Sequence, residues 1–111
     1  MINVLVSYTV KPEFAEANRK NIEVFLEAFR ELDHTKFRYQ VFEEEGFTFH
    51  HQSAYQNEEI QQQLLAVSDF LKFQKERDEN LEGKPTIKML KFQGSAGSFD
   101  SIFDNFDAPE N

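Results

Sequence analysis

The chain has 111 residues, 12 bases against 20 acids, a formal charge of −8 and no cysteine. A length of this order fits one domain. The acidity argues against nucleic acid and anionic membrane surfaces as partners, and the missing cysteine excludes disulfides, thiolate nucleophiles and cysteine-ligated metal sites. Hydrophobic residues make up 40% of the chain and thirteen of them are phenylalanine, enough for a core built largely of rings. No apolar run approaches the roughly 20 residues of a membrane span. The N-terminus lacks the basic n-region of a signal peptide. These features together suggest a cytoplasmic protein.

The elements can be read in chain order. Ile2, Val4, Val6, Tyr8 and Val10 alternate with Asn3, Ser7 and Thr9, with Leu5 the exception, so a half-buried strand is expected over 2–10. Pro12 suits a first helical turn, and Glu13 and Glu16 favour the positive end of the dipole. Ile22, Phe25, Leu26, Phe29 and Leu32 then form a stripe at helical period, which predicts a helix from about 12 to 32. Phe37, Tyr39 and Val41 alternate with Arg38 and Gln40, and Phe47 and Phe49 alternate with Thr48 and His50. A Glu-Gly turn separates the two runs, so they read as a hairpin. That hairpin puts the adjacent His50 and His51 on opposite faces of its second strand.

Asn57 is a good N-cap, followed by Glu58 and Glu59. Ile60, Leu64 and Val67 share one face, and Phe70, Phe73 and Arg77 form a second stripe. One bent helix or two short ones broken near Ser68 would fit. Gly83 and Pro85 stop the helix. In the last strand Ile87 and Met89 face one way and Leu90 and Phe92 the other, which implies burial on both sides. The tail over 95–111 is acidic, and Phe99, Ile102, Phe103 and Phe106 predict a short amphipathic helix that docks on this subunit or on a partner.

The order β-α-β-β-α-β is the ferredoxin-like, α+β order: a four-stranded antiparallel sheet with helices on one face and the other face bare. Residues 1–94 form this domain. Within it "INVLVSYTV", the "KPE" that opens "ANRKNIEVFLEAF", then "YQVFEEEGFTFHHQSAY" and "VSDFLKFQKER" are similar in layout to the dimeric α/β-barrel superfamily, and to its antibiotic-biosynthesis-monooxygenase-like domains. The resemblance implies a homodimer whose two sheets close a barrel. It also implies a phenylalanine-lined pocket between sheet and helices. Some members oxidise quinols or polyketide phenols with oxygen and no cofactor, and others bind or degrade haem. The haem-degrading branch has a tryptophan, and a histidine on the second helix; this chain has neither.

Two function classes follow. The first is a cofactor-independent, oxygen-dependent monooxygenase acting on a small phenol or quinol. His50 or His51 would be its base, since an imidazole suits the taking of a phenolic proton. Tyr8, Arg38, Tyr39, Tyr55 and Phe70 would line the substrate site, with Arg38 or a tyrosine orienting the ligand. The second is a non-catalytic ligand-binding or assembly protein whose histidines serve packing and the subunit interface. No metal site is expected, because successive strand residues point apart and no His-x₃-His or His-Glu-x₂-His spacing occurs. The "EEE" at 43–45 reads as a solvated hairpin end, and nothing in the sequence sets Ser7 or Ser53 against a base.

Overall fold

The computed structural model describes residues 1–97. Its elements are β1 (Ile2–Thr9), a 3₁₀ turn (Pro12–Phe14), α1 (Ala15–Phe29), β2 (Phe37–Glu44), β3 (Thr48–Tyr55), α2 (Glu58–Leu65), α3 (Ser68–Asp78) and β4 (Thr86–Leu90). The strands form one antiparallel sheet in the order β2-β3-β1-β4. This is the ferredoxin-like arrangement that the element order implies. The helix expected over the tail at 99–106 lies outside the described residues.

Alternation sorts each strand into two sets. Tyr8 pairs with Phe49, Val6 with His51 and Val4 with Ser53 across β1 and β3; Val41 pairs with His51 and Tyr39 with Ser53 across β2 and β3. These residues face the helices. Asn3, Leu5, Ser7 and Thr9, with His50 and Gln52 on β3 and Arg38 and Gln40 on β2, face the other way, onto the uncovered side. On α1 the buried stripe is Ala15, Asn18, Ile22, Phe25 and Phe29. Leu26 and Leu32 pack beside it. The second helical segment is two helices, parted at Ala66–Val67, and the Asn57 side chain caps α2 by accepting the Ile60 N–H at 3.1 Å.

The core is mostly aromatic. The Phe25 ring lies 4.7 Å from Phe73, 5.0 Å from Phe70, 5.1 Å from Phe29 and 5.7 Å from Tyr39, centroid to centroid. Such tilted and edge-on ring pairs add to the stabilisation from burial. Phe25 therefore ties α1 to α3 and to β2 at one point.

Two expectations change. Phe47 belongs to the turn and not to β3. Because Glu44 pairs with Thr48, residues 45–47 must close the hairpin, and Gly46 and Phe47 do so at φ of 93° and 66°. A bulky side chain in that left-handed region costs about 1 kcal/mol or more. The Phe47 carbonyl accepts the Val10 N–H at 3.1 Å, which anchors the turn to the end of β1. β4, expected to be buried on both sides, is exposed on both: Ile87 is 70% and Met89 68% accessible on one face, and Leu90 39% on the other. It is the outer strand beside β1, and among the described residues none of β4 joins the core.

Replacing Phe25 with alanine should cost about 3–5 kcal/mol of stability in urea denaturation. The same change at exposed Phe42 should cost well under half of that.

Candidate functional site

His51 sits in the core at 2% exposure. Its two nitrogens meet two tyrosine hydroxyls: Nε2 lies 2.8 Å from Tyr8 Oη and Nδ1 2.8 Å from Tyr39 Oη. The register explains this. His51 is opposite Val6 on β1 and Val41 on β2, and the tyrosines are two residues along from each on the same face. Diagonal neighbours of that kind are within reach of long aromatic side chains. Above and beside the imidazole lie Phe73 at 5.4 Å and Phe25 at 6.0 Å, both close to parallel with it.

Two further residues extend the chain. Asn18 Nδ2 donates to Tyr8 Oη at 3.0 Å, while Asn18 Oδ1 is buried with no partner among the described residues. The Arg77 guanidinium lies 5.3 Å over the Tyr8 ring and 5.4 Å over Phe73, with Asp78 2.9 Å from its end. Sequence reading missed Asn18 as a site residue. Its signal was its place on the apolar stripe, seven before Phe25 and four before Ile22.

Burial sets the charge states. It pushes the His51 pKa down to about 3, with the positive charge of Arg77 adding to the effect. Burial also raises the Tyr8 hydroxyl above its ordinary value, against the hydrogen bond from Asn18, and raises Tyr39 well above its own. The chain therefore runs through a neutral imidazole and two protonated phenols at neutral pH. Such a group can relay or share a proton without any buried charge.

The structure brings Tyr8, Tyr39, His51 and Phe70 together, with the Phe70 ring 6.2 Å from Tyr39. Tyr55 is buried on the same face two positions beyond Ser53, which hydrogen-bonds it. Arg38 and His50 do not join them: they lie on the uncovered side of the sheet. His50 Nδ1 is 2.7 Å from Ser7 Oγ and Nε2 meets the Glu44 carboxylate. The acidic run at the hairpin is thus partly paired, since Arg19 also holds Glu43 through two bonds of 2.7 and 2.8 Å.

The pocket expected between sheet and helices is filled. Phe25, Phe29, Phe49, Phe70 and Phe73 are each 5% exposed or less. Open space occurs beside it. A cleft of about 790 Å³ runs between the end of α1 and β2, walled by Leu26, Phe29, Phe37, Tyr39 and Val41, with Arg30 and His34 also lining it. A second groove of about 630 Å³ crosses the bare face over Asn3, Arg38, Gln40 and Gln52, bordered by Phe42, Leu90 and Phe92. Among the described residues no group of three or more histidines and acids is placed to hold a metal, and no helix is long and apolar enough to cross a membrane.

The fold defines a ferredoxin-like α+β domain. More narrowly, it is the fold of the antibiotic-biosynthesis-monooxygenase-like domains. A crystal structure of antibiotic biosynthesis monooxygenase superposes with a TM-score of 0.72 at 13% identity, over 85% of this chain and all (100%) of the other. Rv0793 from Mycobacterium tuberculosis gives 0.72 at 16% identity, over 86% and 98% of the two chains. A conserved protein from Methanosarcina mazei gives 0.70 at 17% identity, over 83% and 92%. No family profile matches the sequence, and neither does any curated protein.

The buried imidazole makes stability depend on pH with a definite sign. Unfolding returns His51 to an ordinary value near 6.5, so below that pH the unfolded chain binds a proton the folded interior refuses. Its contribution is whole above pH 6.5 and is lost as pH falls toward 3. Moving from pH 7 to pH 5 should cost about 2 kcal/mol through this group, and His51→Phe should flatten the dependence by that amount in denaturant titrations at the two pH values.

Proposed function

We propose that the protein is a homodimer of the monooxygenase-like type that holds a small phenol or quinol at the Tyr8–His51–Tyr39 chain and oxidises it with dioxygen, without a cofactor. One observation carries this reading: an imidazole bound on both nitrogens by phenolic hydroxyls, in a shell of phenylalanine rings. A phenol or quinol presents the same hydroxyl and the same ring face. Polar groups cost stability when buried in such a shell, so their presence at its centre favours a role beyond packing. The aromatic cleft walled by Tyr39 supplies a route in, of a volume suited to a small ligand. Arg77 supplies the positive charge that favours a phenolate over a phenol. The names of the structural neighbours agree with this chemistry, which remains theirs at such low identity.

In this mechanism the ligand displaces Tyr39 from the cleft side and takes its hydrogen bond to His51. The phenolate formed by proton transfer would stand beside the imidazolium and stabilise it, which offsets part of the desolvation that holds the neutral ring's pKa near 3. Loss of the phenolic proton to the chain leaves an electron-rich ring for dioxygen.

The second reading, a non-catalytic binding or assembly protein, is favoured by the filled interior and by the weak basicity of His51 while that interior is closed. Homodimer formation is common to both. The bare face carries Phe42 at 47% exposure, with Leu90 and Phe92 uncovered at its other edge.

Oxygen consumption with a panel of quinols and naphthols separates the two. We expect uptake with at least one compound, reduced about 100-fold or more in His51→Phe. No uptake across the panel selects the second reading. Light scattering should give twice 13.1 kDa at micromolar concentration; a monomer contradicts both.

A further inference from the structure

The hydrogen bonds around His51 have a direction, and Asn18 sets it. Asn18 Nδ2 can only donate, so the Tyr8 oxygen accepts from it at 3.0 Å. Turning the amide over would leave two N–H groups unpartnered there in place of one carbonyl oxygen. Between Tyr8 and Tyr39 two proton orders remain. In one, Tyr8 O–H donates to Nε2 and Nδ1–H donates to the Tyr39 oxygen, which leaves the Tyr39 hydroxyl proton over. In the other, Tyr39 O–H donates to Nδ1 and Nε2–H donates to Tyr8, which leaves the Tyr8 proton over.

The two orders differ in where the spare proton lies. Tyr8 is 2% exposed, and its oxygen would then accept two bonds while its own proton had no acceptor. Tyr39 is only partly buried as a residue and walls the cleft beside α1, and in the first order its oxygen accepts just the one bond from Nδ1. An unmet hydroxyl proton costs less on an oxygen that accepts one bond than on one crowded by two.

We propose that Asn18 is a positioning residue that fixes this order and holds His51 as the Nδ1–H tautomer, so that the chain is polarised from Asn18 through Tyr8 and His51 to Tyr39. It ends on a hydroxyl donor. In the resting protein the Tyr39 side therefore presents a proton, and a phenol that takes the place of Tyr39 can give up its own to Nδ1 only after His51 has moved to the Nε2–H tautomer. This last consequence rests on the ligand reading above; the tautomer does not.

Long-range proton–nitrogen NMR of the full chain labelled on histidine nitrogen tests the proposal without any ligand. Near pH 7 the His51 ring should show a protonated Nδ1 and an unprotonated Nε2. Asn18→Leu, which removes the donor at similar volume, should turn the single tautomer into a mixture or invert it. Tyr8→Phe breaks the same chain one step further on and should do likewise, which keeps the test open if the leucine variant does not fold. An Nε2–H tautomer in the parent chain overturns the proposal. So does an Nδ1–H tautomer that persists unchanged in whichever variant folds. If the tautomer is as stated while quinones and quinols bind nowhere on the protein, the ligand reading alone has failed.

Discussion

The structure depends on one constraint: a row of polar side chains placed inside a phenylalanine core must find its partners there. Buried polar atoms left unpaired cost on the order of 1–3 kcal/mol each. Tyr8, His51 and Tyr39 meet this demand only if β1, β3 and β2 keep their register, because a slip of one residue moves every side chain to the other face. Asn18 meets it only if α1 lies over the Tyr8 end of the sheet. The chain of bonds therefore fixes how strands and helix sit together, in a core whose rings would otherwise accept several packings. Asn18 Oδ1 is the exception, buried with no partner among the described residues.

The same sheet divides its two histidines. His51 enters the core and is held neutral. His50, one residue earlier, lies on the bare face between Ser7 and Glu44, at a place where a second sheet would lie against it in a dimer. A bare face rich in amide and hydroxyl side chains suits contact with another polar sheet better than contact with a helix. The uncovered apolar residues of that face are Phe42 at one edge and Leu90 and Phe92 at the other; Ile87 and Met89 are uncovered on the helix side of β4.

Much of this was legible in the sequence. Alternation assigned Tyr8 to the helix-facing set and separated His50 from His51. The stripe Ile22, Phe25, Phe29 located the buried side of α1, and Asn57 marked the start of α2. The convergence of the site was less legible. Tyr8 and Tyr39 reach His51 diagonally, which requires the pairing register and not only the faces. Arg38 has the chemistry to orient a ligand, but alternation alone places it on the face opposite Tyr39. Arg77, in the last turn of α3, is the cation that lies over the Tyr8 ring. Asn18 lies on the buried stripe one turn before Ile22, a place its polar side chain does not advertise. β4 misled because apolar residues on both sides of a strand suggest burial, whereas the outer position of this strand leaves it uncovered within one chain.

The most direct measurement of the central claim is a double-mutant cycle with Tyr8→Phe and Tyr39→Phe. Their hydroxyls do not bond each other; only His51 joins them. If the imidazole links them as one chain, the two losses of stability should be non-additive by about 0.5–3 kcal/mol at pH 7. Losses that sum to within about 0.3 kcal/mol would mean that each hydroxyl acts alone, and that no such chain organises the core.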